Sequence, residues 1–177
     1  MSRLEASLAR VQRWDAQLSL RTNRCLQVRG VPRLLRAVSW LGNGVFWYAL
    51  MLALLVVDPR GAALPVLHMV SAGAVGTVAY KLLKRGTSRP RPFEVLAQIK
   101  AGTPPLDVYS FPSGHTLHAV AFTVVALAYW PGLALLLVPF ALLTAGSRVA
   151  LGLHYPSDVL AGAALGALIG GASFMLA

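Results

Sequence analysis

The chain is poor in charge: 12% of its 177 residues are Asp, Glu, Lys or Arg, where soluble domains average about 25%. Acid is scarcest, with six Asp and Glu against sixteen Lys and Arg, a formal charge of +10. Cysteine is represented by Cys25 alone, which excludes an intrachain disulfide and leaves the redox compartment open. No cluster of carboxylates has the make-up of a magnesium site, and no Cys/His spacing has that of a zinc site. No metal and no cofactor are therefore expected. Internal repeats, low-complexity tracts and flexible linkers are absent as well. Residues 1–33 carry seven arginines and lack the continuous apolar core of a signal peptide.

What the chain does have is apolar length. It is 56% hydrophobic with a mean hydropathy of +0.64, the composition of a membrane protein. The basic residues flank the apolar runs, a placement that favours anionic lipid and phosphate over nucleic acid as partners. Residues 3–29 read as a basic amphipathic helix, with Leu4, Leu8, Val11, Trp14 and Leu18 at helical spacing. Such a helix is expected to lie in the headgroup region. Five spans follow: Ala37–Val57, Ala62–Leu83, Gly114–Trp130, Leu133–Val149, and Val159 to the C-terminus. Asp58 to Gly61 reads as a turn, and Glu94 to Lys100 as a short surface helix. The expected fold is all-α: a polytopic membrane bundle of about five transmembrane helices plus an N-terminal interfacial helix. Residues 1–36 form the basic segment and residues 37–177 the membrane-embedded domain.

Three polar clusters stand at span ends, and the span count puts all three on one side of the membrane. The first runs from Lys84 through Arg85, Arg89 and Arg91 to Pro92. Arginine matches the forked geometry of phosphate oxygens and lysine adds a point charge; alone, the cluster reads rather as a basic flank anchoring the second span. The second is Phe111-Pro112-Ser113-Gly114-His115. Ser113 suits an N-cap, and a helix N-terminus with a glycine is a ready anion site; alone, it is an ordinary cap with a headgroup-level histidine. The third runs from Ser147-Arg148 to His154 and Asp158. The last two are four apart across a helix start, where the carboxylate can bond one imidazole nitrogen and leave the other free to attack. Alone, this is a structural His–Asp pair. Together the clusters supply cations, a helix end, two histidines and an orienting carboxylate, the parts for phosphoryl transfer without a metal.

The pattern Lys84-x6-Arg91-Pro92, then Pro112-Ser113-Gly114-His115, then Ser147-Arg148-x5-His154-x3-Asp158 resembles the type-2 phosphatidate phosphatase superfamily, whose fold also serves the vanadium haloperoxidases. The resemblance covers residues 62–177. It departs earlier, where one span of the usual six is replaced by the amphipathic segment. It implies that His154 attacks phosphorus and forms a phosphohistidine, that Asp158 orients it, and that His115 protonates the leaving group and then activates water. It implies that Lys84, Arg91, Ser113, Gly114 and Arg148 hold the phosphate. Arg89 falls outside the matching positions and reads as a headgroup contact or a catalytic group. His118, one turn beyond His115, reads as a packing residue rather than a second acid.

The expected activity is hydrolysis of a lipid phosphomonoester or diphosphate by an enzyme embedded in a bacterial plasma membrane. Phosphatidylglycerophosphate, phosphatidate and polyprenyl phosphates or diphosphates all remain open as substrates, as does oligomeric state. Two alternatives stand beside it: a lipid-to-lipid phosphotransferase with the same site, and a non-enzymatic lipid-binding subunit. Eight arginines before the first span and seven basic residues on the site side stand against Arg60 alone. The positive-inside rule then turns the site toward the cytoplasm.

Overall fold

A computed structural model describes residues 3–175, in which every regular element is helical. The side chain of Leu4 and the last two residues of the expected fifth span lie outside the described residues. The helices are α1 (Arg3–Asn23), α2 (Val31–Trp40), α3 (Phe46–Val57), α4 (Pro59–Thr87), α5 (Pro92–Val95), α6 (Gly114–Tyr129), α7 (Ala134–Ala150) and α8 (Pro156–Ala172).

The first span begins earlier than the apolar run implies. Val31–Val57 is one continuous helical stretch, broken in register at Leu41–Val45, where a wider π turn joins α2 to α3. Gly44 has φ of 118° there, a backbone that side chains with a Cβ avoid. The expected turn Asp58–Gly61 shrinks to a single residue. Asp58 accepts a hydrogen bond from the Gly61 amide at 3.0 Å, and Pro59 takes the first helical position, where its missing N–H costs nothing. α4 stops at Ser88, whose left-handed φ of 45° ends the helix one turn past Lys84. The expected helix Glu94–Lys100 is instead the single turn α5, started by Pro92 and capped by Glu94, which accepts from the Arg91 amide at 2.7 Å. Residues 96–113 then cross the site end as a loop rich in proline and turns.

Val31–Val57, Pro59–Val95, Pro131–Ala150 and Pro156–Met175 are long and apolar enough to cross a membrane, and α6, at sixteen residues, is shorter. α6 sits in the middle, in contact with α4, α7 and α8. Its tightest partner is α8, which meets it along a ridge of glycines. A Cβ on Gly162 would lie 2.5 Å from the Ser113 carbonyl oxygen, and one on Gly166 2.3 Å from that of Leu117. Only hydrogen in place of a side chain lets the backbones approach so closely. The contact aligns the two helix starts: the Ser113 amide donates to the Asp158 carbonyl at 3.0 Å. The apolar core fills the space between α3, α4, α6 and α7, where Phe46, Trp47, Phe122 and Phe140 form an aromatic group around Met51, Met69 and Leu137.

α1 docks on the site end by its polar side. Asp15, Ser19 and Asn23, four residues apart, are its buried positions, while Leu8, Val11 and Trp14 of the apolar stripe face outward. The Asn23 side-chain amide donates to the carbonyls of Lys100 and Ala150 at 3.0 and 2.9 Å. The apolar stripe of this docked basic helix thus faces away from the rest of the described residues.

Candidate active site

The ends of α4, α6, α7 and α8 converge on a cavity of about 730 Å³. Lys84, Arg91, Gly114, His115, Arg148 and His154 all line it, so residues up to 70 positions apart in the sequence share one wall. Ser113 and Asp158 stand behind that wall, both fully buried. Ser113 Oγ is turned to the α6 cap, 2.9 Å from the Thr116 hydroxyl and 3.5 Å from its amide.

Two of the cations share a carboxylate. Lys84 Nζ lies 3.0 Å from Asp107 Oδ1 and also donates to the Tyr109 carbonyl. Arg91 donates to the same Asp107 oxygen, and its guanidinium bonds the carbonyls of Leu153 at 2.6 Å and Asp107 at 2.9 Å. Arg148 differs from them. It is 2% exposed, donates to Ser39 Oγ, and has no carboxylate within ion-pair distance among the described residues. Its Nε is a buried donor without a hydrogen-bond partner. A buried guanidinium in that condition is a site for an anion, since an unpaired buried charge is otherwise costly.

His154 sits in the turn between α7 and α8, where Gly152 takes φ of 72° beside Ile99 and the Lys100 carbonyl. Its two nitrogens face different surroundings. Nε2 is 3.5 Å from Arg91 Nη1; a guanidinium only donates, so this nitrogen carries the lone pair. The ring proton then belongs on Nδ1, which lies 3.7 Å from Asp158 Oδ2, just beyond hydrogen-bonding distance, and has no other partner. Burial pushes the His154 imidazole down to about 4, with Asp158 opposing the shift and Arg148 and Arg91 adding to it. The ring is therefore neutral at physiological pH. Asp158 is held by the Tyr155 amide at 2.8 Å, by Ser110 Oγ, and by Arg89 at 2.6 Å.

His115 lies in the first turn of α6 with Nε2 against Asn43 Oδ1 of the π turn. His118, read from the sequence as a packing residue, has Nδ1 facing the Gly114 carbonyl at 2.8 Å and its ring between Tyr80 and Phe122, and it also lines the cavity. Arg89, which the sequence left as a headgroup contact or a catalytic group, is held by protein partners. It pairs with Asp15 at 2.7 Å and Asp158 at 2.6 Å, with its guanidinium 4.1 Å from the Tyr155 ring centre. From the polar end the cavity continues between the spans along Trp47, Met51, Val70, Gly73 and Phe122.

A sequence model described as the PAP2 superfamily matches residues 63–177. The chain belongs to the PAP2 superfamily. Among PAP2 relatives, it is 41% identical over 103 residues to a decaprenylphosphoryl-5-phosphoribose phosphatase of Mycobacterium tuberculosis, covering 56% of this chain and 55% of that one. It is 36% identical over 110 residues to the undecaprenyl-diphosphatase BcrC of Bacillus subtilis, covering 59% and 54%. The chain thus spans about half the length of these curated relatives. The structure superimposes on LpxE of Aquifex aeolicus with a TM-score of 0.76 at 26% identity, covering 88% of this chain and 92% of that one. The fold also matches a transmembrane PAP2-type phosphatidylglycerolphosphate phosphatase of Bacillus subtilis, with a TM-score of 0.75 at 23% identity, covering 94% and 85%.

Four residues that touch the candidate site's side chains were not singled out from the sequence: Asp107, Asn43, Ser39 and Asp15. Asp107 carried one signal, being one of two acids, with Glu94, between the first and second polar clusters. Asn43 and Ser39 sit inside an apolar span, where a polar side chain is uncommon enough to mark.

Proposed function

We propose that this PAP2 protein is a membrane phosphatase acting on a polyprenyl phosphate or diphosphate. The observation that carries the reading is the two-ended cavity, with Lys84, Arg91, His115, Arg148 and His154 at one end and Trp47, Met51, Val70, Gly73 and Phe122 along the other. A phosphate joined to a hydrocarbon chain has that distribution of charge. The resemblance to a mycobacterial decaprenylphosphoryl-5-phosphoribose phosphatase and to an undecaprenyl-diphosphatase of Bacillus supports the polyprenyl class.

In this reading His154 Nε2 attacks phosphorus. A nitrogen–phosphorus bond forms, the phosphorus–oxygen bond to the lipid breaks, and the electron pair leaves on that oxygen. His115 donates a proton to the departing oxygen, then takes one from a water that attacks the phosphohistidine. Inorganic phosphate leaves and His154 is restored. Arg148, Arg91, Lys84 and the Gly114 amide stabilise the charge spread over the phosphoryl oxygens. Asp158 holds the His154 tautomer.

The test is phosphate release in detergent from a panel: undecaprenyl phosphate, undecaprenyl diphosphate, phosphatidate and phosphatidylglycerophosphate. Release is expected to be fastest from a polyprenyl substrate and unchanged by EDTA. Faster turnover of either glycerolipid rejects the substrate class, and EDTA inhibition reversed by magnesium rejects the mechanism.

The site is proposed to face the cytoplasm. The balance of fifteen Lys and Arg on its side against Arg60 supports this orientation, as does an α1 that lies against the site end through Asp15 and Asn23. Single cysteines near Thr103 in a Cys25→Ser background should resist an impermeant thiol reagent in intact cells. Strong labelling from outside would reverse the orientation.

A further inference from the structure

Asp15 is a buried carboxylate on α1, outside the residues matched to the PAP2 superfamily. It is the only acid within a run of arginines from Arg10 to Arg36. All its hydrogen bonds are directed at two residues beside the nucleophile. Oδ2 accepts from Arg89 Nη2 at 2.7 Å and from Ser157 Oγ at 2.5 Å, and Oδ1 accepts from the Ser157 amide at 2.9 Å. Arg89 in turn donates through Nη1 to Ser157 Oγ at 2.8 Å and to Asp158 Oδ1 at 2.6 Å.

We propose that Asp15 is a positioning residue for the reaction: by occupying one arm of Arg89 it holds Asp158 in the orientation that presents Oδ2 to His154. The inference rests on the reading of His154 as nucleophile and Asp158 as its orienting carboxylate.

A guanidinium prefers to grip a carboxylate with two parallel bonds. Left with Asp158 alone, Arg89 would take both of its oxygens. Oδ2 would then turn from His154 Nδ1, which has no other partner. Asp15 prevents this by holding Nη2, so that Arg89 gives Asp158 a single bond, to Oδ1. Oδ2 remains for the Tyr155 amide, Ser110 and the imidazole. The Tyr155 ring against the guanidinium fixes its plane. Asp15 also accepts from the amide of Ser157, in the first turn of α8, so the same carboxylate fixes the helix end that carries Asp158.

Docking of α1 alone would be a competing account, and Asn23 separates the two. It ties α1 to Lys100 and Ala150 without touching Arg89. The probes are orthovanadate and inorganic phosphate, bound to the full-length protein in detergent. Vanadate takes the imidazole nitrogen as a fifth ligand, and phosphate is held by the cations only. The ratio of their Kd values therefore reports how well the ring is aimed. Asp15→Asn is expected to reduce the preference for vanadate about tenfold with little change in phosphate affinity, the scale on which misorientation acts. Arg89→Lys, which keeps the charge and loses the fork, is expected to do the same, and it stands in if Asp15→Asn does not fold. Asn23→Ala should lower Tm and leave the ratio intact. An unchanged ratio in Asp15→Asn and in Arg89→Lys, or an equal loss in Asn23→Ala, overturns the role of Asp15. His154→Ala should abolish the vanadate preference; its survival would instead overturn the nucleophile assignment.

Discussion

The bundle buries a histidine near each end, and the two are held in opposite ways. At the end away from the cavity, His68 has both nitrogens occupied. Nδ1 is 3.1 Å from the Tyr129 hydroxyl and Nε2 is 2.6 Å from Ser173 Oγ, with Phe174 edge-on to the ring. At the cavity end, His154 has one nitrogen beside a guanidinium at the limit of hydrogen bonding, and the other 3.7 Å from a carboxylate. Both rings are buried. A histidine whose polar atoms are satisfied by neutral groups ties helices together. One left with its lone pair toward a cavity of cations is available for chemistry.

Substitution should separate these roles. His154→Ala is expected to lower the rate of phosphate release by a factor on the order of 10⁴–10⁶, the scale of losing a nucleophile, with Tm preserved. Near-normal turnover by the purified variant would remove the distinction. The same ring gives a second measurement. Because its value of about 4 lies below the ordinary 6.5, the contribution of the neutral imidazole to stability is complete above pH 6.5. It is lost as the pH falls toward 4. A ring nitrogen NMR titration should therefore find His154 neutral at pH 5.5, and a midpoint near 6.5 would contradict the burial described here.

Gly166→Val tests whether the two ends are coupled through packing. A Cβ there would sit 2.3 Å from the Leu117 carbonyl oxygen, so α8 must move away from α6. Overpacking of this kind costs about 1–3 kcal/mol. Activity should fall along with Tm, since α6 begins at His115's turn and α8 carries Asp158. A variant with lower Tm and full activity would show that the site tolerates separation of the helices. The smallest effect is expected from His68→Ala, which takes one partner from the half-buried Tyr129 hydroxyl and one from Ser173, whose Oγ still donates to the Gly170 carbonyl. A loss of about 0.5–1.5 kcal/mol, the net worth of a hydrogen bond, should appear as a lower Tm with turnover retained. A drop in turnover without loss of stability would mean that the far end takes part in the reaction.

The spans and the site were legible in the sequence to different depths. Apolar runs long enough to cross a membrane announce themselves, and Lys84, Arg91, His115, Arg148 and His154 stood at their ends in a spacing that folding converts into one cavity. Helix boundaries were less legible where a cap decides them. Asp58 and Pro59 begin α4 inside what reads as a turn, and Pro92 starts α5 two residues before the expected helix. The inward face of α1 was not legible. Its apolar stripe gives a clear helical period, but the buried positions are Asp15, Ser19 and Asn23, and Asp15 and Asn23 are held by hydrogen-bond partners more than 70 residues away. Asp107 and Asn43 escaped for the same reason. Contacts between a loop and a distant helix end leave no periodicity to read, and a single polar residue carries no spacing.

The short central helix sets the depth at which all this happens. Sixteen residues of α6 rise about 24 Å at 1.5 Å each, against a hydrocarbon layer of about 30 Å. Were its far end at the opposite interface, its first turn would end several ångströms beneath the headgroups. A bilayer meets such a shortfall by thinning locally, which would draw the lipid surface down toward Arg148 and His154. Under the proposed function, a lipid phosphate anchored in that leaflet would not have to be lifted into water to be dephosphorylated. It would approach sideways, confined to a plane, with its phosphate already at the level of the cations.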